Sequence, residues 1–159
     1  MTHTPSPAPL DRDWIARRIP HRFDMCLLNA VRAWSPQAIE CEALLGDLSV
    51  HPLRAADGRL GSVHAVEYAA QAMAVHGALV AGMDVAPPAG YLASVRGVNL
   101  HVDAIEAADA PLRVCAERLS GDARNVLYGF RVEGARGAVA DGRAAVVLDA
   151  SEPAGGARP

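Results

Sequence analysis

Residues 63–79 read "VHAVEYAAQAMAVHGAL". The run is apolar almost all round, so it reads as one long helix buried on most sides by other elements. Ser62 is a reasonable N-cap, and Gly82 closes the helix ahead of Pro87 and Pro88. The many alanines let neighbouring strands pack close. Yet the helix carries a carboxylate, Glu67, flanked by His64 and Gln71. These three share one stripe of the helix, at i, i+3 and i+7. Burying an unpaired carboxylate costs several kcal/mol or forces it to take up a proton. Glu67 is therefore either paired, for instance with an Arg at a sheet edge, or kept neutral as a general acid. Gln71 reads equally well as a helix-to-backbone hydrogen bonder, and His64 as an ordinary half-buried histidine.

Working outward, "LDRDWIARRIPHR" (10–22) predicts a short helix. Asp11 and Asp13 favour its start, Arg17 and Arg18 its end, and Pro20 stops it. Strands are predicted over Met25–Trp34 and Ala38–Leu45. In the second, Ile39, Cys41 and Ala43 alternate with Glu40 and Glu42. After the long helix come strands over Tyr91–Val102, Leu112–Ser120, Val126–Glu133 and Val139–Leu148, the last three joined by the turns "SGDAR" and "EGARG". Two strands, one buried helix and a four-strand antiparallel meander predict an α+β architecture. A curved antiparallel sheet of five to six strands wraps one long helix, which is the hotdog fold. A single domain is expected over residues 10–149, between Pro-rich or Gly-rich tails at 1–9 and 150–159 expected to be disordered.

The 159 residues suit one domain with a real core, and 51 % are hydrophobic. All 15 basic residues are Arg, which reads mainly as coding bias, and the net charge is −3. No attraction to nucleic acid or an anionic membrane follows from that balance. Aromatic residues are 4 % of the chain and form no cluster for stacking bases. Cys26, Cys41 and Cys115 stand far apart without a CxxC pair, which points to a reducing, cytoplasmic setting. The long helix could span a bilayer by length, but its polar residues argue against membrane insertion. His64 and Glu67 could place two metal ligands on one helix face, but the sequence offers no second pair of that type, so no metal is expected. Nucleophile elbows and P-loops are absent.

His51 lies in the loop ahead of the helix, before Pro52. A loop histidine near a helix acid is a natural base, because its pKa lies near working pH. On its own it would more often be a surface histidine.

Several stretches together resemble the 3-hydroxyacyl-acyl-carrier-protein dehydratases of the hotdog superfamily. "RRIPHRFDMCLLNAV" (17–31) is similar to their opening, "VEYAAQA" (66–72) to their helix motif, and "GYLASVRGVNLHV" (90–102) to a following strand. "AADAPLRV" (107–114) and "GRAAVVL" (142–148) extend the similarity, which is closest to the aryl-polyene-type dehydratase-like branch. The loop "VHPLRAADGRLGSV" (50–63) departs from the family's "GHFPGRPIMPGV". The resemblance implies that Glu67 protonates the departing 3-hydroxyl and His51 removes the proton beside the carbonyl, with His64 the alternative base and Gln71 in support. Backbone N–H groups of Gly61, Ser62 and Val63 would bind the thioester oxygen, and Arg96, with Arg22, Arg54 and Arg59 as weaker candidates, would meet an acidic acyl carrier protein. It implies no cofactor beyond the carrier's phosphopantetheine. A homodimer, or a heterodimer with another hotdog subunit, is implied too, with histidine and acid on opposite subunits. Two rival readings stand beside it: a hotdog acyl thioesterase, and a non-catalytic acyl-binding hotdog subunit.

Overall fold

The computed structural model describes residues 10–21, 23–82 and 89–149. The two expected tails, Arg22 and the Pro87–Pro88 pair lie outside the described residues.

Helix α1 (Arg12–Ala16) opens on Asp11, whose carboxylate accepts the Trp14 N–H at 3.0 Å. It is shorter than predicted, yet it buries Trp14 and Ile15, and the Arg18 guanidinium lies 4.2 Å from the Trp14 ring centroid. Residues Phe23–Met25 form a 3₁₀ turn, so the first strand, β1 (Ala30–Trp34), begins five residues later than expected by sequence. β2 (Ala38–Ala43) keeps the expected alternation, with Ile39, Cys41 and Ala43 buried.

After the long helix α2 (Ala65–Ala81) come β4 (Ala89–Leu100), β6 (Leu112–Gly121), β7 (Asn125–Gly134) and β8 (Gly137–Asp149). Two short strands, β3 (Leu60–Gly61) and β5 (Ala104–Ile105), pair with each other beside the helix start and were not foreseen. The main sheet is antiparallel in the order β1-β2-β6-β7-β8-β4. The predicted four-strand meander is therefore corrected: only β6, β7 and β8 follow one another. β4 crosses to the far edge and pairs with β8.

The inner face of the sheet holds the core. Leu112, Val114 and Ala116 of β6 meet Ile39, Cys41 and Ala43 of β2, beside Val126, Tyr128, Phe130 and Val132 of β7. α2 packs on β2, β6, β7 and β8. Its buried face carries Ala65, Ala69, Ala72 and Ala78, whose small side chains allow the close approach the sequence predicted. The helix start differs in detail. Residues Ser62–His64 form a 3₁₀ turn with Gly61 as its cap, and His64 leads into the α-helix. Gly82 closes the helix at φ 97°, a conformation open to glycine.

Two polar ties fix this core. His76, buried in α2, donates from Nε2 to the Ser35 carbonyl at 2.8 Å, which leaves Nδ1 to accept the Tyr128 hydroxyl at 2.8 Å. Asp109, also buried, receives both Arg136 Nε and Nη2 at 2.9 Å. Gly134 lies against this pair: a Cβ there would stand 2.8 Å from Asp109 Cβ and 2.9 Å from its carbonyl oxygen. Gly134→Ala is expected to cost about 1–3 kcal/mol by forcing the two backbones apart. A thermal melt checks this, and an unchanged midpoint would show that the contact yields freely.

Candidate active site

The first turn of α2 brings Glu67 to a half-buried position, its side chain 33 % exposed. Its Oε1 lies 3.0 Å from His21 Nε2 and 3.4 Å from Gln71 Nε2. Gln71, one turn on, is fully buried. Its Oε1 accepts the Leu27 N–H at 2.9 Å and its Nε2 donates to the Met25 carbonyl at 2.6 Å. Gln71 thus pins to the helix the segment that follows His21.

Of the two alternatives for Glu67, paired or neutral, this setting gives the paired one, with His21 as the partner in place of an Arg. The hydrogen bond from His21 holds its carboxyl below the ordinary range, outweighing burial, and Gln71 adds to the effect. Sequence reasoning placed the acid in a dry interior. In fact it lies on the one stripe of α2 that is only partly covered, and it has donors.

His51 is buried. Its Nδ1 accepts the Leu53 N–H at 3.1 Å, so the ring proton sits on Nε2, 2.8 Å from the Tyr68 hydroxyl oxygen. Both ring nitrogens are engaged. Burial pushes its pKa down, and the fields of His64 and Arg54 push the same way. Half-buried His64 makes no cap hydrogen bond to the helix start, and its field lowers both the His51 and the Glu67 pKa. The helix start thus gathers Glu67, His21, His64, His51 and Tyr68.

Of the three backbone donors expected at the helix start, the Ser62 N–H is taken by the Asp103 carbonyl at 3.0 Å, and Gly61 stands opposite Ala104 in the adjoining, non-hydrogen-bonded pair of that ladder. Val63 N–H, in the first turn of the helix, has no partner one turn back. Arg96 is not brought to this site. It lies opposite Arg143 in the β4–β8 ladder, whereas its neighbour Val95 lies opposite buried Ala144. Successive side chains alternate across a strand, so Arg96 faces away from α2. There it lines a broad open groove with Arg143, Leu119, Leu127 and Gly129. Arg54, by contrast, stays in the His51 loop, donating to the His51 carbonyl at 2.8 Å. Among the described residues no group of three or more His, Cys, Asp or Glu side chains is placed to hold a metal. No helix among them is long and apolar enough to cross a membrane.

Sequence reasoning missed His21 as a site residue. Its only signal was the "PHR" stretch at 20–22, used for resemblance and not for chemistry.

Two buried histidines, His51 of the site and His76 of the core, set a pH dependence of stability. Burial lowers the folded-state pKa of both His51 and His76. The unfolded chain therefore takes up protons before the folded one, and stability falls as pH drops below about 6.5. Glu67, also lowered, adds a second loss at more acid pH. Thermal midpoints across this range check the sign; a midpoint that rises on acidification would contradict it.

The family model described as ApeP dehydratase (ApeP-like) matches residues 14–154. Among solved structures, "The Dehydratase Heterocomplex ApeI:P from Xenorhabdus doucetiae" superposes with a TM-score of 0.75 at 22 % identity, covering 86 % of this chain and 91 % of that one. A thioesterase family protein from Silicibacter pomeroyi gives 0.60 at 16 % identity, covering 86 % and 93 %. AziG from S. sahachiroi gives 0.56 at 14 % identity, covering 78 % and 91 %. These likenesses show the hotdog fold. No curated protein sequence matches.

Proposed function

The chain belongs to the ApeP-like dehydratase family, and from that premise we propose that it removes water from a 3-hydroxyacyl thioester carried on acyl carrier protein. The product is the trans-2-enoyl thioester, in fatty-acid or aryl-polyene-type biosynthesis. The observation that carries the reading is the Glu67 carboxyl 3.0 Å from His21 Nε2 at the start of the one long helix. Elimination of water next to a thioester needs a base at C2, a proton for the departing hydroxyl and a donor for the carbonyl oxygen. A carboxylate–imidazole pair supplies the first two, and the Val63 N–H would serve as the third.

The acyl chain has an apolar path from this point. Beyond Glu67 the partly covered stripe of α2 continues through Ala70, Ala74 and Gly77, all small. On the helix side of β4, Leu92 and Leu100 remain exposed. The phosphopantetheine arm arrives with the substrate, and the reaction needs no other cofactor.

A second hotdog subunit completes the protein. β4 runs for 12 residues as the last strand of the sheet and exposes Tyr91, Leu92, Val98 and Leu100. A long apolar edge of this kind is a template for pairing with another chain. The Xenorhabdus doucetiae neighbour is a dehydratase heterocomplex, which supports a partner subunit of the same fold.

A thioesterase would use the same fold, and one neighbour is described as such. Mass spectrometry of 3-hydroxyacyl carrier protein after incubation separates the readings. Loss of water with the acyl group still attached is expected. Release of free acid and bare carrier thiol would replace the dehydratase with a thioesterase. No change with a folded, assembled protein would leave an acyl-binding subunit.

A further inference from the structure

The Glu67 pair holds an atom that the fold leaves without use. His21 Nδ1 is closed to solvent and has no hydrogen-bond partner among the described residues. Such an atom is rare in a folded protein, because burying an unpaired polar group costs about 1–3 kcal/mol. The other ring nitrogen is well served, 3.0 Å from Glu67 Oε1. An ionised carboxylate only accepts, so the proton of a neutral His21 sits on Nε2 and the lone pair on Nδ1. A carboxylate behind one imidazole nitrogen fixes the tautomer and stabilises the imidazolium that forms when the other nitrogen takes a proton. His51 lacks this arrangement, since its two nitrogens already meet Leu53 N–H and Tyr68.

We propose that His21, in the same chain as Glu67, is the catalytic base of the dehydration, and that Glu67 orients it. The inference rests on the dehydratase reading above and changes which residues carry it. Substrate entry has to displace whatever covers Nδ1. Phe23, two residues on, is 88 % exposed and holds a positive φ of 51°, which a side chain of its size rarely adopts.

The step balances within one imidazole. Nδ1 takes the proton from C2, and the electron pair of that C–H bond moves into the thioester carbonyl, whose oxygen meets Val63 N–H. The pair then returns to form the C2–C3 double bond as the C3–O bond breaks. The proton on Nδ1 passes to the departing hydroxyl, which leaves as water. His21 is restored with its proton on Nε2, and Glu67 stays ionised throughout. One nitrogen serving as both base and acid requires the C2 proton and the hydroxyl to lie on the same side of the acyl chain.

The test compares wild type, His21→Ala and His21→Asn on 3-hydroxyacyl carrier protein, with a thermal melt of each. Asn can still donate a hydrogen bond to Glu67 but cannot act as a base. Both variants are expected to lose about 10²–10⁴-fold in kcat with little change in KM. Added imidazole should restore part of the His21→Ala rate, in proportion to the basicity of the imidazole used. A folded His21→Ala that keeps wild-type kcat would overturn the proposal. So would recovery in His21→Asn, or a loss that no imidazole restores, because either makes His21 a positioning group. A wild type that releases no water removes the dehydratase reading itself; a wild type that does, with an active His21→Ala, removes this inference alone.

Discussion

Glu67→Gln is expected to lower kcat by about 10³-fold or more while leaving the fold in place. The amide matches the carboxylate in size and is already half-exposed, so packing changes little. What it loses is the negative charge behind His21 Nε2. Without that charge the imidazole has no fixed tautomer and its protonated form is no longer favoured. The Gln71 contact at 3.4 Å is long and is the lesser loss. Glu67→Asp retains the charge but draws it back by one methylene from the 3.0 Å contact, so it should fall between the two. Single-turnover assays with melts alongside check both variants. Equal activity in Glu67→Gln would show that the carboxylate charge plays no part.

Gln71→Leu is expected to be the most damaging change for stability near the site, at about 2–5 kcal/mol. Leucine fills the space but leaves the buried Leu27 N–H and the part-buried Met25 carbonyl without partners. Those two groups belong to the segment that follows His21, so the damage spreads to function. His21 would lose its fixed distance to Glu67, and activity should fall even at temperatures where the variant is folded. Denaturant unfolding gives the first quantity and an assay well below the melt gives the second. A stable but inactive variant would locate the role of Gln71 in chemistry alone; a stable and active one would deny it both roles.

The helix and the long strands were legible because each is a sustained local pattern: the apolar run at 63–79, and the alternation of Ile39, Cys41 and Ala43. The strand order was not. Strands adjacent in sequence pair by default, and nothing in residues 89–100 states that they pair with 137–149 instead of 112–121. The face of Arg96 was hidden for a related reason. β4 carries irregularities between Leu92 and Ser94 and between Arg96 and Asn99, which break the simple count of alternate residues.

Within the site, Glu67 and Gln71 were legible as polar residues on an apolar helix. Their partners were not, because the contacts of Gln71 with Leu27 and Met25 span 44 and 46 positions. His51 read as a base from its loop position, but the bonds that occupy its nitrogens come from Leu53 and from Tyr68 on the helix. His21 lay in a stretch whose likeness to a family was visible while its contact with Glu67 was not. Burial of Glu67 was overestimated because hydropathy describes the whole helix and not the one stripe its neighbours leave partly open.

The most direct measurement runs the reaction backwards in D₂O with a trans-2-enoyl group on acyl carrier protein. The account predicts hydration to the 3-hydroxyacyl thioester with one non-exchanging deuterium at C2, and much slower incorporation in Glu67→Gln. Release of free acid, or an enoyl group left unchanged by the folded protein, would contradict it.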